Sequence, residues 1–529
     1  MAPSAQLHAQ WHYRIMATDP MHDLLIIGAG SSGSAIAARA SENPNLSILL
    51  IEAGPDYRDT NSTPQDIINS HNNSYTAHDW GLNYHPTQYR TSPFPRGKVT
   101  GGSSSVNTTI ALRGIPEDYD EWADLGNDAW SWNEVLPTFN RLERDLDYGD
   151  KAYHGDAGPV SIRRYPHAEL LPAHQAFLAS AGQLGYDDCP DANDPTGSGA
   201  GPQPMNKLGR LRISSALAYL APARLRPNLT IRAETHVRRL LIKHRACIGV
   251  EVENSAGQTE QLFARTIVLS AGAIMSPAIL MRSGLGPAAQ LSQFGIPVVE
   301  DIPAVGQNLS DHPALSVVAN VKAGVNINHD DPIIQTILRY TCAGSNKRND
   351  LQIEQLSFAG RRQDPPRFAI AGVVEYQYGR GEIRLASADP MVNPIIDNRF
   401  CEDSRDASRL VTCLQDILRF TQSGPLSDMI DSVVFPDPAR GFDAASLDTL
   451  VRKFSASGYH PCGTVKMGPK EDPRAVVDQF GCCHTIDNLV VADASIMPFV
   501  PRANTNLTCI MIGEKIGEWL RQSPTRYGL

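Results

Sequence analysis

The sequence predicts an α/β fold whose first unit is a Rossmann-like βαβ domain, and three observations in residues 23–54 carry that prediction. A short apolar run, Leu24 to Ile27, reads as a fully buried parallel strand. It feeds Gly28-Ala29-Gly30-Ser31-Ser32-Gly33, which opens an alanine-rich, helix-compatible segment from Ser34 to Ala40. A second apolar run, Ser47 to Ile51, then delivers Glu52, nineteen residues past Gly33.

Each piece has a physical task. Gly28 permits the tight turn, Gly30 lets the backbone approach a pyrophosphate, and Gly33 lets helix and strand pack closely. The helix N-terminus, at Ser31 and Ser32, offers unpaired N–H groups and a positive dipole end to phosphates. Glu52, followed by Ala53, is placed to accept hydrogen bonds from adenosine ribose hydroxyls, and its charge would repel a 2′-phosphate. The motif marks a dinucleotide site, against the plainer reading of a βαβ unit without ligand. By itself it does not choose between NAD and FAD.

A chain of 529 residues exceeds one compact core, so two or three domains are expected. With 42% hydrophobic and 20% charged residues the composition is that of an ordinary globular enzyme, and a formal net charge of −10 argues against nucleic-acid binding. The longest apolar stretches, around Ile267–Leu280, are broken by Ser, Gly and Pro, so no transmembrane segment is predicted. Residues 1–20 carry no apolar core of a secretory signal and read as an N-terminal extension, with Met21 as a natural start. Nine cysteines at irregular spacings fit a reducing, cytoplasmic setting better than a disulfide framework. Cys482-Cys483 lacks a second pair at ligand spacing, and no metal is expected.

After the βαβ unit, Asp56 to Gln88 is polar and turn-rich without periodicity, which reads as a functional loop. Trp80 within it is a packing anchor or a contact to cofactor or dimer partner. Gly101-Gly102-Ser103-Ser104-Ser105 leaves nothing apolar to bury and suits a loop whose amides face a polar, planar ligand. Residues 114–150 read as amphipathic helices, Leu171 to Leu184 as a helix, and Glu234 to Ile242 as a strand. Ala264 to Leu269 is a buried strand running into Ala271-Gly272 and a helix expected to hold Pro277 in its first turn and Gly284 at its end. Phe368–Tyr378 and Glu382–Ser387 look strand-like, and Arg405–Thr421 looks helical.

Four motifs together resemble the glucose–methanol–choline (GMC) oxidoreductases, nearest in character to bacterial choline dehydrogenase-like alcohol dehydrogenases and oxidases. Arg96-Gly-Lys-Val99-x-Gly101-Gly102-Ser103-Ser-x-x-Asn107 resembles the family's first signature, and Gly272 to Pro287 its second. Val305 to Pro313 is a family-like turn, and Tyr459-His460-Pro461 with Asn504 matches the family's catalytic pair. The resemblance implies FAD lying along Arg96, Val99, Gly101, Gly102, Ser103 and Asn107. Val106 stands where covalent members carry histidine, which implies a non-covalent flavin. It also implies that the Val237 backbone meets the adenine, that Ala271 and Gly272 approach the cofactor, and that Asp493 and Ala494 belong to a second flavin-facing strand. A C-terminal helix is expected to start near Asn504 and Thr505, with Asn504 as its N-cap and its dipole toward the flavin's pyrimidine ring.

The implied architecture is α+β overall, with an FAD-binding domain of residues 21–160, 205–312 and 455–529. A sheet-plus-helix substrate-binding domain takes residues 161–204 and 313–454. The stretch between Asp311 and Gly381 is short beside the choline-oxidising members, which puts choline in doubt as substrate. The implied activity is oxidation of a small-molecule alcohol, a CH–OH donor of class EC 1.1, to the aldehyde or ketone. Hydride goes to flavin N5, His460 is the base, and Asn504 donates to the substrate oxygen. Oxygen or another carrier is the electron acceptor, and the sequence sets neither the alcohol nor the oligomeric state. A flavin-retaining hydroxynitrile lyase and a fatty-acid photodecarboxylase are the alternatives on the same fold, and His460-Pro461 speaks against the second. His312, in its turn, reads as a structural histidine.

Overall fold

The computed structural model describes residues 21–529; the N-terminal extension, residues 1–20, lies outside the described residues. Strand β1 (His22–Ile27), helix α1 (Ser31–Ala40) and strand β2 (Ile48–Ile51) form where the apolar pattern places them. Leu25 lies opposite Leu49 on one side and Ile267 on the other, all parallel, and Leu24, Leu25 and Ile26 are fully buried. The continuous rather than alternating apolar runs follow from burial on both faces of the sheet.

Seven strands make this first sheet. Their order is Leu229–Arg232, β2, β1, Thr259–Leu269, Ala246–Asn254 and Thr235–Lys243, with Leu489–Val491 also paired to Thr259–Leu269. The chain thus returns to this sheet from two distant stretches, 229–269 and 489–491. The C-terminal helix Asn506–Gln522 packs along α1, close enough that a Cβ on Gly513 would lie 2.4 Å from the Ser32 carbonyl oxygen.

A second, antiparallel seven-stranded sheet runs in the order Ile430–Phe435, Pro313–Val321, Arg367–Val374, Leu351–Leu356, Ile334–Tyr340 and Gly199–Pro202, with Ala456–Ser457 paired to Pro313–Val321. One face packs Ile353, Phe368, Ile370 and Val374 against Leu410, Leu414 and Ile417 of the helix Ser404–Gln422. The alternate positions, among them Ser316, Gln352, Glu354 and Val373, face the central cavity. This period-2 division is what gives the sheet one face packed on the helix and one face open to the cavity.

Three local expectations are corrected. The run from Glu382 forms only Glu382–Arg384 and joins a separate four-stranded sheet with Ile395–Asp397, Asn83–Thr87 and Arg90–Pro93, because Gly381 and Leu309 exchange backbone hydrogen bonds and pull it away. The loop 56–88 contains the short helix Gln65–Ile68 and the strand Asn83–Thr87. Pro277 sits in the interior of the helix Gly272–Arg282, not in its first turn. Its missing N–H would strand the Ala273 carbonyl, and the Thr464 hydroxyl donates to that oxygen instead (2.6 Å). No helix among the described residues is long and apolar enough to cross a membrane.

Candidate active site

A cavity of about 840 Å³ runs from the glycine turn after β1 to the inner face of the second sheet. At the β1 end two glycine loops meet. The Gly101 N–H donates to the Ala29 carbonyl (2.7 Å), and a Cβ on Gly102 would lie 2.7 Å from the Gly30 Cα. Only hydrogen at Gly102 allows this approach. A Cβ on Gly33 would fall 1.9 Å from the Gly28 carbonyl oxygen, so this residue acts in helix–strand packing as its motif position requires.

Gly28, Gly30, Ser31, Ser32, Glu52, Ala53, Arg96, Gly102, Ser103, Asn107, Val237, Ala271, Gly272, Asp493, Ala494, Asn504 and Thr505 all line the cavity. Gly33, Val99 and Gly101 do not; they stand behind the lining, Val99 packed with Val106 and Ile67. Trp80 lines the cavity beside His236, with the Lys98 ammonium 5.0 Å from its ring centre.

Glu52 does more than wait for a ribose. Its Oε2 accepts from the Ala29 N–H (3.0 Å) and its Oε1 from the Gly54 N–H (2.8 Å), which ties the glycine turn to the end of β2. Burial pushes its carboxyl up to about 7, against the backbone N–H groups that favour the charge. At the other sheet strand the expectation shifts by two residues: the strand ends at Val491, and Asp493 caps the short turn Ala494–Ile496 by accepting from the Ser495 N–H (2.7 Å). Its second oxygen accepts from the Gly272 N–H (2.8 Å) and the Ser276 hydroxyl (2.6 Å).

The C-terminal helix begins at Asn506 with Thr505 at its N-cap, so Asn504 is not the cap. Its amide is engaged elsewhere: Asn504 Nδ2 lies 2.9 Å from His460 Nε2. His460 Nδ1 lies 2.9 Å from Nδ1 of the fully buried His312. An amide N–H aimed at Nε2 requires a lone pair there, which puts the His460 proton on Nδ1, donated to His312. Burial, with His312 and the Arg96 charge adding to it, holds His460 well below the usual histidine range, and burial depresses His312 to about 3. Both rings are neutral.

Asp311 fixes this pair, and its part was not legible in the sequence. The backbone N–H groups of His312 (2.7 Å) and His460 (2.8 Å) both donate to its Oδ1, and the Ser457 hydroxyl donates to its Oδ2. Burial pushes its carboxyl up to about 6, while Ser457 and the Arg96 charge work in the opposite sense.

The polar inventory fits a flat, two-ended cofactor. The half-buried Arg96 is stacked 4.4 Å from the Phe94 ring centre, and its buried Nε and Nη2 atoms have no protein partner. Asn504 Oδ1 and Asn506 Nδ2 are likewise buried without partners, at the start of a helix of 17 residues. Such groups are costly unless a ligand satisfies them. The residues present therefore fit FAD.

Comparisons with known proteins agree. The GMC oxidoreductase family model matches residues 22–314 and again residues 377–513. The 5-(hydroxymethyl)furfural oxidase of Methylovorus sp. (strain MP688) is 35% identical over 95% of this chain and 99% of its own. The oxygen-dependent choline dehydrogenase of Photobacterium profundum is 33% identical over 94% of this chain and 92% of its own. Among solved structures, pyridoxine 4-oxidase from Mesorbium loti superposes with a TM-score of 0.86 at 29% identity, over 94% of this chain and 98% of that one. Two glycine loops interlocked at one end of the cavity and a neutral histidine–asparagine pair at the other thus sit in a chain that belongs to the GMC oxidoreductases, and it is an FAD-dependent enzyme that oxidises CH–OH donors.

Proposed function

We propose that the alcohol hydroxyl is received between His460 and Asn504, with His460 as the catalytic base. The observation that carries this reading is the convergence of His460 Nε2 and Asn504 Nδ2 at 2.9 Å on the cavity wall. One hydroxyl group entering there displaces the amide N–H from the Nε2 lone pair, donates its own proton to that lone pair and accepts from the freed Asn504 N–H. FAD, when bound, supplies the two-electron acceptor for the hydrogen on the carbinol carbon. His460 is neutral and ready to take the proton, and His312, accepting at Nδ1, holds its ring in the required tautomer. The Asn504 amide offsets negative charge as it develops on the oxygen.

The flavin is held without a covalent link, because Val106 has no nucleophilic atom. Residues 21–160, 205–312 and 455–529 carry the cofactor and residues 161–204 and 313–454 the substrate wall in this reading. The nine cysteines, none paired in a disulfide, support a cytoplasmic setting. Anaerobic mixing with a panel of primary alcohols tests the proposal. Loss of the flavin absorbance band with at least one alcohol is expected, and Asn504→Ala slows it by roughly tenfold or more. A rate untouched in Asn504→Ala would remove the amide from the reacting group.

A further inference from the structure

The substrate wall contains acceptor atoms that nothing in the protein satisfies. Gln352 and Glu354 are two apart on the strand Leu351–Leu356 and share its inner face. Glu375 follows the neighbouring strand, where its N–H donates to the Asp350 carbonyl (2.9 Å), so it is the diagonal neighbour of Gln352 on the same face. Gln352 and Glu375 are each 1% exposed. Gln352 Oε1 and both carboxyl oxygens of Glu375 are buried without a hydrogen-bond partner. Gln352 spends an N–H on Glu354 Oε1 (2.8 Å), which leaves its oxygen as the group presented. Around them the cavity is apolar, with Val318, Ile333, Leu356 and Val373.

We infer that this patch, Gln352, Glu354 and Glu375, is a subsite for a protonated amine, so that the enzyme oxidises alcohols that also carry an N–H-bearing ammonium group. The inference rests on the placement of the alcohol at His460 proposed above. An ammonium has three donors and no acceptor, the complement of the unsatisfied oxygens of Gln352 and Glu375. A quaternary ammonium has charge but no N–H and would leave those oxygens unsatisfied. The two carboxyls also match a cation electrically. Burial pushes Glu354 up to about 7 and Glu375 up to about 8, the latter against the Arg339 charge and helped by Glu354. One of the two is therefore poised to pass its proton to an amine that arrives neutral, so that a single carboxylate meets a single ammonium while the other carboxyl stays protonated, and no unpaired charge is buried. Position agrees as well, since Glu375 Oε2 is 3.5 Å from His312 Nδ1, one imidazole away from His460.

The test compares ω-amino alcohols with their N-trimethyl and uncharged n-alkanol counterparts, using the FAD-loaded enzyme under anaerobic conditions. Amino alcohols are expected to reduce the flavin with kcat/KM at least tenfold above the other two classes. In Glu354→Gln that preference should shrink by roughly ten- to a hundredfold, the effect of a hydrogen bond to a charged group. Binding without turnover gives a second readout: calorimetry should detect butylammonium but not butyltrimethylammonium in the wild type, and weaker butylammonium binding in Glu354→Gln and Glu375→Gln. If alkanols reduce the flavin and amino alcohols do no better, the subsite is refuted while the alcohol site stands. Butylammonium binding that is unchanged in both variants also overturns it. If butylammonium binds as expected but no alcohol reduces the flavin, the subsite stands and the placement at His460 fails.

Discussion

Glu52→Gln is a small change with a calculable consequence. In the wild type each carboxylate oxygen accepts one backbone N–H, from Ala29 at 3.0 Å and from Gly54 at 2.8 Å. A glutamine has one oxygen, so its NH2 must face one of these N–H groups donor to donor. Glu52 is 6% exposed, and the amide left without an acceptor costs roughly 1–3 kcal/mol. Ala29 lies inside the glycine turn, and its own carbonyl holds Gly101 of the second loop, so the misfit reaches both glycine loops at this end of the cavity. If the cost falls on the bound state, FAD affinity drops by about 5- to 150-fold. If it falls on the free protein, the apoprotein melts earlier. Fluorescence titration of apoprotein with FAD, together with thermal unfolding of the same sample, separates the two. FAD affinity within twofold of wild type and an unchanged apoprotein melting temperature would falsify the assignment of Glu52 as the clasp of the turn.

Three further outcomes follow from the same geometry. Acid precipitation should leave a colourless pellet and a yellow supernatant, since Val106 offers no attachment atom; a yellow pellet contradicts this. Gly33→Ala forces a Cβ to 1.9 Å from the Gly28 carbonyl, and it should purify without flavin; flavin retained at full occupancy shows that α1 can move aside at little cost. The buried His154 imidazole sits between Glu143 (2.7 Å) and Asp191 (2.9 Å), with Arg164 across from Asp145 and Asp191. Burial disfavours its charge, but the Asp191 and Glu143 bonds outweigh it and the pKa is raised. A raised folded pKa gives stability that is complete below the unfolded value of about 6.5 and is lost as pH climbs through the folded one. Urea midpoints should therefore fall with rising pH above neutrality in wild type and fall less in His154→Phe; parallel curves would dismiss the charged histidine.

The glycine turn and its acid were legible because their physics is local. Gly28, Gly30 and Gly33 specify a turn, a close approach and a packing contact within six residues, and Glu52 follows at the end of the next strand. The second sheet's wall of the cavity was not, because it depends on which face of a strand looks inward. Gln352 and Glu354 stand in an alternating strand, but only the packing of the helix Ser404–Gln422 against the other face shows that they point into the cavity. Asp311 was visible as part of a turn motif, yet its role appears only when residues 457–460 fold back onto it from far along the chain. Asn504 looked like a helix cap by residue type, and the cap position fell one residue later because its amide is held by His460. Pro277 misled for a similar reason: a tertiary hydroxyl, Thr464, takes the place of the N–H that proline lacks.

The central claim is that His460 takes the hydroxyl proton, and flavin reduction in His460→Ala measures it most directly. The substitution leaves the Asp311 contact to the residue-460 backbone N–H and the FAD-binding loops in place. Anaerobic stopped-flow with the best alcohol from the panel, at matched FAD content and visible spectrum, should show reduction slowed by about 10²–10⁴-fold. Because the imidazole is already neutral well below its usual range, the wild-type rate should show no histidine-like loss down to about pH 6. Reduction of His460→Ala at the wild-type rate would contradict the account.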